Sequence, residues 1–456
     1  MPTMLITDAT VLTVDAANTV HEGGWVAVSD GRITATGPAD TTPDAGGFDI
    51  HHSLPGHIVM PGLINAHTHS PMVLFRGRSE GHSLLTMDGW YNSIREPELS
   101  MVASDVPPAV ALSCAEMMLS GTTTFCEQYF FADEIAQTVG EAGMRAIIAY
   151  GIVQLGDKER GETELANATA FLTRQRSADG RIIPWFGPHA PYVDNTEELL
   201  RAEVEVAMEH GSGLHLHMAC GPEDNEHTME RYGLTATQAL DRDGFFKGRV
   251  HAAHCLDLSD EDVAIFAKSP AASVAYCATA GLRSGREGMC RAVDLKAAGV
   301  VVALGTDNVA ANNGYDMINE MRVAGLVASH RERKAQPISS AELVRMATIE
   351  GARALGIDHE VGSLEAGKAA DIIAIDISGP GYSETPDPET VLVYSGSGRD
   401  VRHLWVAGEH LVDNRQLTRR PYGEIRAAYS ATYADFWARV DRDKAERAAK
   451  VGEMGQ

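Results

Sequence analysis

The pattern of apolar and polar positions changes character twice along the chain. From residue 4 to 60, short apolar runs are broken by turns: Met4 to Thr7, Val11 to Val14, Trp25 to Ser29 ahead of Asp30-Gly31, and Ile33 to Thr36. Such runs predict short strands in a small β-rich unit. From Ile58 onward, strand-like apolar runs are each followed by a helix-length segment, which predicts repeated βα units and a parallel sheet. The candidate strands are Gly62 to Ala66, Thr122 to Cys126, Arg145 to Tyr150, Ile182 to Gly187, Gly213 to His217, Val250 to His254, Ala272 to Tyr276 and Val300 to Gly305. Helices are predicted between them, at Asp105 to Ser120, Thr196 to His210, Ser259 to Ala267 and Met289 to Ala298, several opened by a Ser, Thr or Asp cap. Two more follow, Asn313 to Ala328 and Ser339 to Leu355. After Gly362 the β style returns in Asp371 to Asp376, Thr390 to Tyr394, Val401 to Val406 and Glu409 to Val412, and the charged stretch Ile425 to Ala449 predicts a solvated packing helix.

Eight strand–helix repeats are what an α/β fold of the TIM-type (β/α)8 barrel requires. The two terminal β segments can combine into a small composite β-sandwich domain. The expected division is residues 1–59 for the first part of that domain, 60–361 for the barrel, 362–424 for the second part and 425–456 for a terminal helix. A chain of 456 residues, 44% hydrophobic, has room for a barrel of about 250 residues with additions.

A formal charge of −25 argues against a nucleic-acid surface, which needs Lys and Arg to neutralise phosphates, and leaves a small neutral or cationic substrate as the easier partner. Acidity also simply keeps a protein soluble. The six cysteines show no CxxC spacing, so neither a disulfide framework nor a zinc knuckle is expected, and a reducing cytoplasm fits. The sequence opens without a basic segment leading into an apolar one, and no run of about 18 apolar residues occurs, so a soluble, unexported protein without membrane partners is expected.

The candidate chemistry lies at strand ends. In Pro61-Gly62-Leu63-Ile64-Asn65-Ala66-His67-Thr68-His69, the two histidines are two positions apart, so they emerge on one side of the strand and can share one metal ion. Three later strands end in the same manner, in Leu214-His215-Leu216-His217, His251-Ala252-Ala253-His254-Cys255 and Leu304-Gly305-Thr306-Asp307-Asn308. In a barrel of this type the active site assembles at the C-terminal ends of the strands. His67, His69, His217, His254 and Asp307 there would make an N/O site for one divalent ion, zinc first, with iron, manganese or cobalt as alternatives.

This arrangement resembles the amidohydrolase superfamily over nearly the whole chain, and most of all its branch of methylthioadenosine/S-adenosylhomocysteine deaminases and triazine hydrolases. The phrases that carry the likeness are Pro61 to Met72, Leu74-Phe75-Arg76-Gly77, Gly187-Pro188-His189-Ala190-Pro191-Tyr192, Gly305 to Asn313, and Gly362 to Asp371. The resemblance implies that His67, His69, His217 and Asp307 ligate the ion, that His254 sits beside it and orients water, and that Asp307 accepts the proton. Attack on an electron-poor ring carbon would then release ammonia. It further implies Glu96 for ribose hydroxyls, His189 for the heterocycle, Trp90 and Tyr150 in the substrate pocket, and a homo-oligomer.

Three positions depart from the branch pattern. Deaminases of this kind carry His-x-x-Glu after the fifth strand, the glutamate moving protons to the ring and leaving group; here the fourth position is Cys220, in His217-Met218-Ala219-Cys220. A thiol, with an ordinary pKa of about 8.5, is a poor substitute for a carboxylic acid, which leaves Glu223 or Glu127 as replacements and Cys220 as either catalytic or packing. After strand seven, Tyr276-Cys277-Ala278-Thr279-Ala280 stands where His-x-x-x-Ser-Asn is usual, and Tyr150 stands where binders of a homocysteine carboxylate have arginine. The leading reading is deamination of an aminopurine, pterin or s-triazine. The alternatives are dechlorination or cleavage of a cyclic amide or urea by the same centre, and a catalytically silent binding protein.

Overall fold

The computed structural model describes residues 2–84, 86–174, 179–285, 288–382 and 387–454, with side chains omitted for 222 and 450–454. Eight parallel strands follow one another in chain order: Leu63–Thr68, Thr122–Tyr129, Arg145–Ile152, Ile182–Pro188, Leu214–Met218, Val250–His254, Ala272–Tyr276 and Val301–Leu304. This is the expected TIM barrel. Its interior is filled in layers: Ile64, Cys126, Ile147, Ala149 and Trp185 pack with Ala352 and Leu355 in one cluster, and Ala66, Ala253, Ala275 and Ala303 pack with Ala354 in another. With the middle of the barrel filled, the strand ends are left as the place for chemistry.

The eighth and first strands are joined through a side chain. Asn65 Nδ2 donates to Thr306 Oγ1 at 2.7 Å and Asn65 Oδ1 accepts from Thr306 N–H at 3.0 Å, while Asp307 N–H donates to the carbonyl of His67 at 3.0 Å. The same contacts that close the barrel therefore set Asp307 beside His67.

Both ends of the chain contribute to one mixed nine-stranded sheet. Its order is Gln416–Leu417, Glu409–Asp413, Val401–Val406, Ile372–Asp376, His57–Pro61, Met4–Leu12, Val20–Ser29 and Arg32–Gly37, with Ile50–Ser53 paired to Met4–Leu12. The seam between the two ends is the antiparallel pair of Ile372–Asp376 and His57–Pro61. At the joint with the barrel, the buried guanidinium of Arg145 grips the buried Asp371 at 3.1 and 3.2 Å.

Four local expectations are corrected. Thr390 to Tyr394 is not a strand but the body of the helix Pro388–Ser395: the Asp387 carboxylate caps Thr390 N–H at 2.9 Å and Pro388 occupies the first turn, and these start signals outweigh the β-branched run. Ser339 to Leu355 is two helices, Ser340–Met346 and Ile349–Leu355, because the carbonyl of Ala347 turns to accept Ile64 N–H at 2.8 Å and Thr348 leaves helical geometry. The runs Met4 to Thr7 and Val11 to Val14 belong mostly to one strand, Met4–Leu12, with an irregular register about Asp8, whose φ is +65°. The helix placed at Asn313 begins at Met317, where Asp316 caps Ile318 and Asn319.

The terminal helix Tyr422–Met454 lies over the chain that leaves the first barrel strand. Tyr429 donates to the carbonyl of Val73 at 2.9 Å, Trp437 Nε1 to that of Leu74 at 3.0 Å, and Phe436 and Trp437 meet Phe75 edge-on. It is a packing helix, and what it packs is the turn immediately after His69.

Candidate functional site

Four strand ends bring five side chains together. His67 and His69 come from the first strand, where an irregular register between Asn65 and Thr68 loosens the ladder. His217 comes from the fifth strand and His254 from the sixth, and Asp307 follows the eighth. Both His254 and Asp307 have left-handed backbones, φ +73° and +60°, a conformation that costs a non-glycine residue about 1–3 kcal/mol and turns each side chain as the strand ends. The ring centres of His69, His217 and His254 lie 4.7, 5.0 and 5.2 Å from that of His67, and Asp307 Oδ1 is 3.5 Å from His67 Nε2 and 3.4 Å from His69 Nε2.

The hydrogen bonds around these rings fix their tautomers. His69 Nδ1 meets the carbonyl of Gln128 at 2.5 Å, and His217 Nδ1 meets the carbonyl of His189 at 2.9 Å. A carbonyl only accepts, so both Nδ1 atoms carry the proton. His215 Nδ1 likewise donates to the carbonyl of His251 at 2.8 Å, which makes its Nε2 the acceptor for His67 Nδ1, also at 2.8 Å. All three ligand candidates therefore turn an Nε2 lone pair to the same point, with Nε2 of His217 and His69 only 3.2 Å apart. Unshared lone pairs at that distance repel unless a cation lies between them. His67 Nε2 and both ring nitrogens of His254 are buried and without a protein hydrogen bond.

The electrostatics agree with a cation site. Burial drives His67 down to about 3 and His217 well below the ordinary imidazole value, so both are neutral ligands. Burial lowers His254 too. Burial would raise Asp307, yet the His67 and His69 rings hold it well below the usual carboxylate range. Burial would also lower His69, but the Asp307 carboxylate outweighs it and raises that ring instead: a proton takes the place a cation would fill. The donor set of three imidazole nitrogens and one carboxylate fits a divalent ion of the zinc group.

A cavity opens above this centre. His69, His217, His254 and Asp307 form its floor, Cys220, Glu223 and Asp224 one side, and Met72, Leu84, Met87, Trp90, Ile94 and Phe130 an apolar wall. His189 lines it: its Nδ1 is held by the Asp194 carboxylate at 2.5 Å, and its ring lies 4.8 Å from His217 and 5.3 Å from Trp90, which also lines the cavity. Cys220 is there as well, buried, with Sγ 3.9 Å from the carbonyl of Ala253.

Three expected positions are corrected. Glu96 is absent from the lining and faces the terminal helix, 3.3 Å from Lys444 and 3.9 Å from Arg447. Two residues on, Glu98 lines the cavity, held by Arg95 at 2.9 Å and by the Tyr129 hydroxyl; two steps along a helical segment reverse the side on which a residue projects. Tyr150 is also outside the lining. Ile147 and Ala149 face the barrel interior, so Tyr150 faces the helices, where it donates to Glu164 at 2.9 Å. Glu127, offered as a replacement acid, is fully buried outside the lining and accepts Ser70 N–H at 2.8 Å, whereas Glu223 does line the cavity.

His215, His251, Gln128 and Asp194 support the site without having been singled out for it. For His215 the signal was available, since His-x-His places it on the interior face one layer below His217.

A profile of the Amidohydrolase family matches residues 58–411. The chain is 36% identical over 424 residues to 5'-deoxyadenosine deaminase of Methanosarcina acetivorans, covering 91% of this chain and 94% of the relative. It is 34% identical over 433 residues to 5-methylthioadenosine/S-adenosylhomocysteine deaminase of Pelotomaculum thermopropionicum, covering 94% and 97%. Among solved structures, an adenosine deaminase from Xanthomonas campestris with bound zinc superposes with a TM-score of 0.88 at 30% identity, over 96% of this chain and 98% of the other.

Proposed function

Because the chain belongs to the amidohydrolase family, we propose that it is a metal-dependent hydrolase that removes the amino group from an adenosine-like N-heterocycle, with 5'-deoxyadenosine and 5'-methylthioadenosine as the first substrates to try. What carries the assignment is the meeting of three Nε2 lone pairs and the Asp307 carboxylate at one buried point. His67, His69, His217 and Asp307 would hold the ion, zinc in our reading. When bound, such an ion acts as a Lewis acid that makes water nucleophilic near neutral pH.

The chain's own groups do the rest. Asp307, kept ionised by the imidazoles beside it, can accept a proton from the attacking water, and His254, with both ring nitrogens free of protein partners, can orient that water. Trp90 offers an aromatic face for a flat heterocycle. His189 donates Nδ1–H to Asp194 and so presents Nε2 to the cavity as an acceptor. Glu98 takes the part expected of Glu96 and accepts sugar hydroxyls. Proton delivery to the ring falls to Glu223 in place of the missing glutamate at Cys220, because it is a carboxyl of the same cavity only three residues further on.

The test is direct: incubate the zinc-loaded protein with adenosine, 5'-deoxyadenosine, 5'-methylthioadenosine, an aminopterin ring and aminotriazines, and measure ammonia. Release from a nucleoside, lost in His69→Ala, is the expected outcome. No ammonia from any member overturns the reading. Cys220 on the cavity wall favours a second reading, loss of a group such as chloride that needs no protonation; chloride release from a chlorotriazine without ammonia from any nucleoside selects it.

A further inference from the structure

A second group of imidazoles meets on the nine-stranded sheet, and none of its members lines the cavity. The strands Val401–Val406 and Glu409–Asp413 are antiparallel, with Trp405 opposite His410. His403 lies two positions before Trp405, so His403, Trp405 and His410 share one face. His52, from the strand Ile50–Ser53, meets the same cluster, its ring centre 5.9 Å from that of His403, 5.4 Å from His410 and 5.4 Å from Trp405.

The donor spacing is that of a metal site. His403 Nδ1 is 3.3 Å from His410 Nε2 and 3.3 Å from Asp413 Oδ1, and the three donor atoms all lie within 4.8 Å of one another. Around a tetrahedral ion with bonds of about 2.0–2.1 Å, neighbouring donors are about 3.3–3.4 Å apart. The same nitrogen of His403 is also approached by the N–H of Asn414 at 3.4 Å. One ring nitrogen carries one proton or one lone pair, and cannot satisfy an imidazole, a carboxylate and an amide together; a shared cation would satisfy the first two.

The charge states suit ligation. Burial drives His410 down to about 4 and pulls His403 and His52 below the ordinary imidazole value, against the opposing pull of Asp413. Burial thus favours the uncharged form of each ring, and an uncharged imidazole is the form that binds metal. Asp413 is 59% exposed, which leaves a way in for an ion.

We propose that His403, His410 and Asp413, with His52 alongside as a fourth imidazole, form a peripheral binding site for a divalent transition-metal ion of the zinc, nickel or copper class, separate from the barrel centre. It is independent of the proposed reaction, since none of these residues touches the cavity.

The experiment uses the full chain, stripped with chelator and titrated calorimetrically with Zn2+. Two equivalents are expected for the wild type and one for the double variant His403→Ala/His410→Ala. One equivalent for both, or two for both, overturns the site. Should the double variant fail to fold, Asp413→Asn at the exposed edge is expected to weaken the second equivalent at least tenfold; unchanged affinity counts against the proposal. A separate readout comes from Trp405, stacked 4.5 Å from His410. Cu2+ added to the protein loaded with a single equivalent of zinc is expected to quench indole emission with one-equivalent saturation, and this component is absent in Trp405→Phe. Emission unchanged by Cu2+, or equal quenching in the two proteins, overturns it.

Discussion

His67 Nδ1 donates a 2.8 Å hydrogen bond to Nε2 of His215, which in turn donates from Nδ1 to the carbonyl of His251. The proton arrangement of the metal centre is thus set one layer below it. His251 extends the chain, with Nε2 2.8 Å from the carbonyl of Ala66 and Nδ1 2.9 Å from the Ser273 hydroxyl. A ligand whose tautomer is fixed in this way presents its lone pair without reorganisation.

We expect His215→Phe to weaken zinc affinity by about 10–100-fold, the usual effect of losing such a partner, measured by competition with a chromophoric chelator. His215→Gln, whose amide oxygen can still accept from His67, should recover part of the loss. If the phenylalanine variant binds zinc as tightly as the wild type, His215 is only a filler of the barrel.

Glu223 and Cys220 can be ranked kinetically as proton donors. With Glu223 delivering the proton, Glu223→Gln should lower kcat by about 10²-fold or more with KM little changed, and Cys220→Ala should change kcat by less than about threefold. Steady-state ammonia release on the best nucleoside decides. The reverse order of effects would return the catalytic role to the thiol.

A buried carboxyl links the loops after the seventh and eighth strands. Glu320 accepts Thr279 N–H at 2.9 Å and Asn312 Nδ2 at 3.2 Å, and burial pushes it from an ordinary value of 4.5 up to about 7. Between those two values the folded chain keeps a proton that the unfolded chain releases, so Glu320 makes stability fall as pH rises from about 4.5 to 7 and adds no slope above that. Glu320→Gln should remove this component. Urea midpoints of wild type and variant, compared at pH 5 and pH 7.5, should converge toward the acid side and separate in the variant's favour at pH 7.5; a constant difference would refute it.

The joint between barrel and terminal sheet depends on a buried charge pair. Asp371 accepts from Arg145 and also from Ala407 N–H at 2.8 Å, so removing the carboxylate strands a buried guanidinium. Asp371→Leu should cost about 3–5 kcal/mol in equilibrium denaturation, whereas replacing both partners by apolar residues should cost much less. Equal losses in single and double variants would show that packing, not charge, governs the joint.

The sequence by itself determined whatever depends on short-range periodicity. Short apolar runs spaced by helix-length segments made the eight strands legible, and the period of two within a strand put His67 and His69, like His215 and His217, on common faces. Caps announced most helices, and at Asp387-Pro388 such a signal outranked the apolar run that suggested a strand. The phrases that hold His67, His69 and Asp307 named the centre for the same reason, since each lies at one strand end and its following turn.

Only the tertiary structure decided which way irregular segments face. Glu98 rather than Glu96 reaches the cavity because the intervening turn is held by Arg95, Tyr129 and the distant Lys444. His254 and Asp307 are aimed by left-handed backbones that no alternation rule anticipates. The cluster of His52, His403 and His410 joins residues more than 350 positions apart through the pairing of chain ends. Local pattern records the preferences of a segment, whereas these orientations are fixed by contacts with segments far away in the chain, and those contacts exist only once the barrel and sheet have closed.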